Sequence, residues 1–356
     1  MRFHGGDFWV KGNVIDFSAN LNPLGTPRHI EEEINHCIIK ARIYTKYPDY
    51  DYNELRKAIA YFYNIDYRYL IATNGAAEAL NLTIIALKPS TLIIVSPSYG
   101  DYDLLCKALS IKCLHLLMDE HEGYYALNYD ELLKYIHENK YSVIIITNPN
   151  NPTGIVIEHN HLIDLALEAK RYGSWLMIDE VYSELSNYAT ILKTSLPENI
   201  VVVKSFTKTF NVPGLRLGFL YTPSHNLIEK VNNIRPTWNV NSIADYVFRR
   251  ILINYKKDLW KFIETSKTYI NQERSYLMEK LRGLGFQVYK SETNFILLKH
   301  PWIHTIKLRD MLLEKYRILI RPAHTFYGLT IYHSRIAVRK REENKLLVKA
   351  LEETAK

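Results

Sequence analysis

The chain has 356 residues, room for about two domains. Its 47% apolar and 23% charged residues are the balance of a soluble globular protein, and no apolar run approaches the ~20 residues a membrane-spanning helix needs. The net charge of +7 comes from basic residues spread along the chain, and the densest patch, Arg335 to Lys349, is interleaved with Glu342 and Glu343; a small acidic substrate, not nucleic acid or a membrane, is the expected partner.

Met1 to Gly6 carries no apolar signal-peptide core. Cys37, Cys106 and Cys113 stand apart in the sequence, which indicates neither a disulfide framework nor a zinc site; a reducing cytoplasm is the expected location. Gln272 and Gln287 are the only glutamines, a composition that fits a heat-adapted source, a thermophile. The arm from His4 through Asn20 to Gly25 is rich in Gly, Asn and Pro and is expected to be extended and looped. A helix is predicted over 28–42, then an aromatic loop over 44–50. Asp51-Tyr52-Asn53-Glu54 reads as a capping box opening the next helix. Beyond it, apolar strands over 70–73, 92–95, 111–116, 143–147, 175–178 and 200–203 alternate with helices over 76–87, 101–109, 128–137 and 158–172. That alternation predicts a large α/β domain over residues 43–242, with a mostly parallel central sheet covered by helices. Residues 215–221 add a further strand. After Asn241 one long helical stretch over 243–284 precedes strands 286–289, 295–299, 318–320 and 334–338 and helices 306–316 and 342–353. Residues 1–42 and 243–356 are therefore read as an N-terminal arm plus a smaller α+β domain.

Chemistry-bearing residues cluster at the predicted strand ends, where open α/β sheets bind ligands. Lys208 follows strand 200–203 within Ser205-Phe206-Thr207-Lys208-Thr209 and ahead of Pro213-Gly214-Leu215-Arg216. A lysine there reads either as an ordinary loop residue or as a Schiff-base lysine holding an aldehyde cofactor, its pKa lowered by burial. Ser205, Thr207 and Arg216 would then grip a phosphate. Gly75, Ala76 and Ala77 open a helix, where small residues make a tight turn or let backbone N–H groups approach a phosphate. Tyr99, after another strand, could stack on a flat ring or be a plain loop aromatic. Asn151, between Pro149 and Pro152, carries an amide that can donate to a phenolate oxygen without titrating. Asp179 ends strand 175–178. It caps a helix or, if buried, pairs with a protonated ring nitrogen, with Tyr182 donating to the ring's phenolic oxygen.

Taken together these motifs resemble the fold-type-I pyridoxal-phosphate enzymes of the class I/II aminotransferase superfamily over nearly the whole length. The resemblance implies pyridoxal 5′-phosphate as cofactor. It makes Lys208, Asp179 and Tyr182 catalytic; Gly75, Ala76, Ala77, Tyr99, Asn151, Ser205, Thr207 and Arg216 cofactor ligands; and Arg335 the fork for the substrate α-carboxylate. Tyr47, in Lys46-Tyr47-Pro48, matches the family's tyrosine that reaches the neighbouring subunit's cofactor phosphate, which implies a homodimer with shared active sites. Two branches compete: threonine-phosphate decarboxylases of cobalamin synthesis and histidinol-phosphate aminotransferases. The arm His4-Gly5-Gly6 with Asp16 to Gly25, the segment Pro236-Thr237-Trp238-Asn239-Val240-Asn241, and Ile336-Ala337-Val338-Arg339 are similar to the decarboxylases. The implied activity is decarboxylation of O-phospho-L-threonine to 1-aminopropan-2-ol phosphate; the alternative is transamination of histidinol phosphate. Both substrates are small phosphorylated amines or amino acids, so a second cationic cluster is expected, with Arg321 and Arg339 as its candidates and His4 after them; Asn20 is a further substrate-binding candidate. No metal is expected.

Overall fold

The computed structural model describes residues 5–6 and 14–355. A short strand β1 (Ile15–Asp16) leads to helix α1 (Arg28–Asn35), which continues as one wider turn over His36–Lys40. Helix α2 (Asn53–Tyr63) follows, then β2 (Leu70–Thr73), α3 (Ala76–Leu87), β3 (Thr91–Ser96), α4 (Asp101–Leu109) and β4 (Lys112–Leu117). A hairpin, β5 (Asp119–His121) and β6 (Tyr124–Ala126), precedes α5 (Tyr129–Glu138), β7 (Ser142–Thr147), α6 (His159–Arg171), β8 (Trp175–Asp179) and β9 (Ile200–Ser205). The single turn α7 (Phe206–Thr209) joins β9 to β10 (Gly218–Tyr221), with α8 (His225–Ile234), α9 (Ser242–Asn254) and α10 (Lys256–Gly283) after it. The chain ends with β11 (Gln287–Val288), β12 (Phe295–Lys299), α11 (Thr305–Tyr316), β13 (Ile318–Leu319), β14 (Arg321–Pro322), β15 (His333–Ala337) and α12 (Arg341–Ala355).

Seven strands form the main sheet in the order β2-β10-β9-β8-β7-β3-β4, all parallel except β10. Strands β3, β7 and β9 are buried along their whole length, because unbroken β-branched runs such as Ile200-Val201-Val202-Val203 have apolar cover on both faces. Their alternate residues feed two different cores: Val202 joins one, Val201 and Val203 the other. A second sheet, β11-β12-β15-β14, has its own core with Phe17 of the arm, Leu277 and Leu347. The arm packs there because β1 pairs in parallel with β13, Ile15 opposite Ile318.

Four sequence expectations are corrected. The Asp51 capping box does not form: Tyr52 adopts a left-handed conformation (φ 52°), and Asp49 Oδ2 instead accepts from Asn53 N at 2.8 Å. The long helix over 243–284 breaks at Tyr255 (φ −124°, ψ 24°), whose ring stacks on His29 at 4.0 Å. Helices α1 and α9, grouped by sequence with the smaller unit, pack with α2 in the core of the main sheet through Ile30, Val247 and Phe248. Cys106 and Cys113, apart in sequence, are brought together by α4 and β4, and their thiols interact. The β5–β6 hairpin and α8 have no counterpart in the sequence reading.

Beneath the sheet's carboxyl edge, Lys204 of β9 is fully buried against two acids, with Nζ 3.2 Å from Glu180 Oε2 and 2.6 Å from Glu184 Oε1. Burial opposes its charge, but the two carboxylates outweigh it and hold the ammonium pKa above the usual value. Lys204→Met removes the cation and strands both acids. The expected cost is about 3–5 kcal/mol, read as a lower denaturant midpoint with unchanged slope; a loss below about 1 kcal/mol would show that the acids take up protons or water at little cost.

Candidate active site

A cavity of about 410 Å³ opens at the carboxyl ends of β3, β7, β8 and β9, roofed by the arm and by β14 and β15. Its floor at one end is built for an anion. Gly75 turns the chain from β2 into α3 with φ 78°, and a Cβ there would sit 2.7 Å from Arg216 Nη2. A Cβ on Gly218 would sit 2.7 Å from Ala76 N. Only glycines allow Arg216 and the start of α3 to approach this closely. Ala76, Ala77, Ser205, Thr207 and Arg216 all line the cavity here, and Ser205 Oγ lies 2.8 Å from Thr207 Oγ1. Helix N-terminal amides, two hydroxyls and one guanidinium are a phosphate's ligands.

Lys208 projects into the same cavity and is half-buried. Burial first, then Arg335 and Arg216, lower its pKa to about 8, against a small opposing effect of Asp16. Across from it Asp179 ends β8, where burial raises its pKa to about 6. The donors that reach this carboxylate among the described residues are neutral: Tyr102 Oη at 2.9 Å and Val181 N at 3.1 Å. A cationic ring nitrogen would complete it. Tyr99 faces the cavity with its hydroxyl donated to Asp101 Oδ2 at 2.6 Å and its ring edge-on to Tyr102. Tyr182 Oη accepts from Asn20 Nδ2 at 3.4 Å, which leaves the phenol proton for another acceptor.

The roof is cationic. Arg335 donates from Nη1 to Asn151 Oδ1 at 2.5 Å and from Nη2 to the Ser18 carbonyl at 2.7 Å, while its Nε is buried without a partner. Because Asn151 spends its oxygen on Arg335, its NH₂ is the end left for a ligand. Arg321 stands directly opposite Arg335 in the β14–β15 pair. It donates from Nη2 to Thr325 Oγ1 at 2.9 Å and lies over the Phe326 ring. Burial and then Arg335 lower its pKa to about 9. Like charges facing across a strand pair are unfavourable, so an anion between them is favoured.

Of the proposed site residues, Arg339 and Tyr47 are not in this cavity, and Gly75 borders it through Arg216 without lining it. Arg339 donates from Nη1 to the Asp16 carbonyl at 2.8 Å and pairs through Nη2 with Glu343 at 2.7 Å, so it ties the arm to α12 instead of facing a substrate. Tyr47 is 76% exposed and stacks on Trp238, away from its own chain's cavity. His4 lies outside the described residues, although Gly5 beside it reaches the cavity and Gly6 N donates to Ser18 Oγ at 2.9 Å. Conversely, sequence reasoning missed Tyr102, Thr325 and the Ser18 carbonyl. Tyr102 lies in the first turn of α4, three residues after Tyr99, which precedes the helix, and its spacing alone does not point to Asp179.

Residues 12–351 match the family described as aminotransferase class I and II. The chain belongs to that family. A relative from Caldanaerobacter subterraneus subsp. tengcongensis, named "Putative threonine-phosphate decarboxylase", is 34% identical over 353 residues, spanning 96% of this chain and 92% of its own. The threonine-phosphate decarboxylase of Salmonella typhimurium is 28% identical over 341 residues, spanning 95% of this chain and 90% of its own. The crystal structure of the histidinol-phosphate aminotransferase from Clostridium acetobutylicum superposes with a TM-score of 0.86 at 28% identity, covering 96% of this chain and 99% of that one. The architecture is therefore that of the fold-type-I class I/II aminotransferase family, and pyridoxal 5′-phosphate is its cofactor. The cavity of this family member fits the group: a phosphate cradle at one end, an uncompensated buried carboxylate at the other and a desolvated lysine between. No helix among the described residues is long and apolar enough to cross a membrane.

Two expectations follow from the geometry. Arg339→Ala should leave KM for a phosphorylated substrate within about twofold while lowering the thermal midpoint, since it loses an arm contact and a partly exposed ion pair; a KM rise of about tenfold or more would put Arg339 back at the substrate. Capture of pyridoxal 5′-phosphate by the cofactor-free protein should slow about tenfold per pH unit below the Lys208 pKa of about 8, because only the neutral amine attacks an aldehyde. Stopped-flow mixing between pH 6 and 9 reads it, and a flat profile would overturn it.

Proposed function

We propose that this enzyme decarboxylates O-phospho-L-threonine, releasing carbon dioxide and 1-aminopropan-2-ol phosphate for cobalamin synthesis. The observation that carries the reading is the Arg321–Arg335 pair opposite the phosphate cradle. Arg216 serves the cofactor phosphate, and Arg321 and Arg335 line the part of the cavity where a doubly anionic substrate would sit. The 34% identity to the Caldanaerobacter relative over nearly the whole chain supports decarboxylation as the outcome.

In this reading pyridoxal 5′-phosphate, held by Ala76, Ala77, Ser205, Thr207, Arg216 and Asp179, supplies an electron sink for the bond broken at the substrate Cα. Asn151 and Tyr182 donate to its phenolic oxygen, and Tyr99 covers its ring. Arg335 grips the substrate carboxylate as a fork, and Arg321 with Thr325 takes the phosphate. These two clamps choose which Cα bond is cleaved by fixing the orientation of the substrate. As carbon dioxide departs, the Lys208 ammonium donates a proton to Cα in place of the lost carboxylate. Its lowered pKa lets it release that proton and recover another near neutral pH. Apolar and aromatic exposure at Ile39, Tyr44, Tyr47 and Tyr50 supports a homodimer in which Tyr47 reaches the partner's site.

Purified holoenzyme given O-phospho-L-threonine without a keto acid tests the reading. Repeated turnover with release of carbon dioxide supports it. The absence of carbon dioxide, together with single-turnover conversion of the cofactor to its amine form by histidinol phosphate, would replace it with the aminotransferase activity of the Clostridium acetobutylicum neighbour.

A further inference from the structure

A second cluster of reactive side chains lies on the far side of α4 and takes no part in the cavity. Asp103 and Cys106 are three residues apart on α4 and share a face, while Cys113 and His115 are two apart on β4 and share another. The two faces meet. Asp103, Cys113 and His115 form the one group of three or more His, Cys, Asp or Glu donors, among the described residues, whose ligand atoms all lie within 4.8 Å of one another.

We propose that Asp103, Cys113 and His115 bind one divalent transition ion of the zinc class, as a structural site that fastens α4 to the edge of the main sheet. The donor set, one imidazole, one thiol and one carboxylate, is the N/S/O mixture such ions take. The spacing suits it. Cys113 Sγ lies 3.7 Å from Asp103 Oδ1 and 3.8 Å from His115 Nε2, and His115 Nε2 lies 2.8 Å from Asp103 Oδ1. Ligand atoms around a tetrahedral zinc sit roughly 3.3–3.7 Å apart, so only the His–Asp pair has to open, by about half an ångström. The imidazole is already oriented from outside the cluster: its Nδ1 lies 2.9 Å from Ser96 Oγ, and its ring stacks on Tyr327 with centroids 3.8 Å apart. An outer partner on the other ring nitrogen is the usual support of a metal-bound histidine.

The surroundings provide both shelter and entry. The His115 side chain is 10% exposed and that of Asp103 is 36% exposed, so an ion enters past the carboxylate. Burial disfavours a charged His115, but Asp103 and Cys113 outweigh it and hold its pKa at about 9. Cys106, whose thiol interacts with that of Cys113, is the nearest further donor. Strand β4 ends the sheet and is hydrogen-bonded only to β3 there, so a bond from β4 to the covering helix protects an exposed edge. None of the three ligands lines the cofactor cavity.

Holoenzyme stripped with chelator and dialysed against graded free zinc should take up one ion per chain and gain thermal stability as it does. Cys113→Ser and His115→Ala should each weaken uptake by at least about tenfold and abolish the zinc-dependent rise in melting temperature. Both should keep the cofactor's absorbance and wild-type turnover, which reports that they are folded. Asp103→Asn, on the partly exposed face of α4, serves if either fails to fold. Wild type taking up no zinc, or wild type and variants taking it up alike, overturns the site.

Discussion

Lys208→Ala is expected to lower turnover of O-phospho-L-threonine by at least about 10⁴-fold, because in the proposed function one side chain both anchors the cofactor and moves the proton at Cα. The geometry makes substitution by another group difficult. Lys208 projects into the cavity, and the other lysine nearby in sequence, Lys204, is held away from it in the Glu180–Glu184 pair. Borohydride treatment of wild-type holoenzyme should fix the cofactor to the peptide containing Lys208, and the variant should show no such adduct. The fold should survive, since an uncharged alanine relieves the repulsion that Arg335 and Arg216 exert on the ammonium. A variant that keeps the trapped adduct, or more than about a hundredth of the activity, would move the role to another residue.

The strand-end positions of Ala76, Tyr99, Asn151, Asp179 and Lys208 are legible in the sequence because buried β-branched runs fix where each strand stops. The residues just beyond must then share one edge of a parallel sheet. What lies illegible depends on chain direction after an element ends. Arg339 follows Arg335 by four residues and would share its face on a continuing strand. Strand β15 stops at Ala337, however, and the turn into α12 carries the Arg339 guanidinium to Glu343 and the arm. The contact between Arg335 and the Ser18 carbonyl leaves no trace in residue identity, since any residue supplies a carbonyl. Tyr255 shows a similar limit: no Gly or Pro marks the helix break, which comes with a stacking contact to a histidine more than 200 residues away. The cysteines illustrate the opposite error, because spacing along the chain conceals a contact that a helix and its neighbouring strand create.

Arg321→Leu should cost about 2–4 kcal/mol in transition-state binding, roughly 30- to 1,000-fold in kcat/KM for O-phospho-L-threonine. The loss should fall mainly on KM if Arg321 holds the phosphate, which does not react. Comparing substrates isolates that role: L-threonine lacks the phosphate, so whatever slow reaction it undergoes should be unchanged in the variant. An equal loss on both substrates would mean that Arg321 grips the carboxylate instead. Stability should respond in the other direction. Arg321 and Arg335 face each other across β14 and β15, and each makes the other's charge harder to keep. Leucine removes that repulsion, and its side chain can rest on the Phe326 ring that Arg321 now covers. The variant holoenzyme should therefore unfold no earlier than wild type, and with the cofactor occupying the Arg216 cradle, added inorganic phosphate should stabilise wild type more than the variant by taking the place of the substrate anion beside Arg321 and Arg335. An anion that stabilises wild type more than the variant would mark Arg321 as part of the anion site.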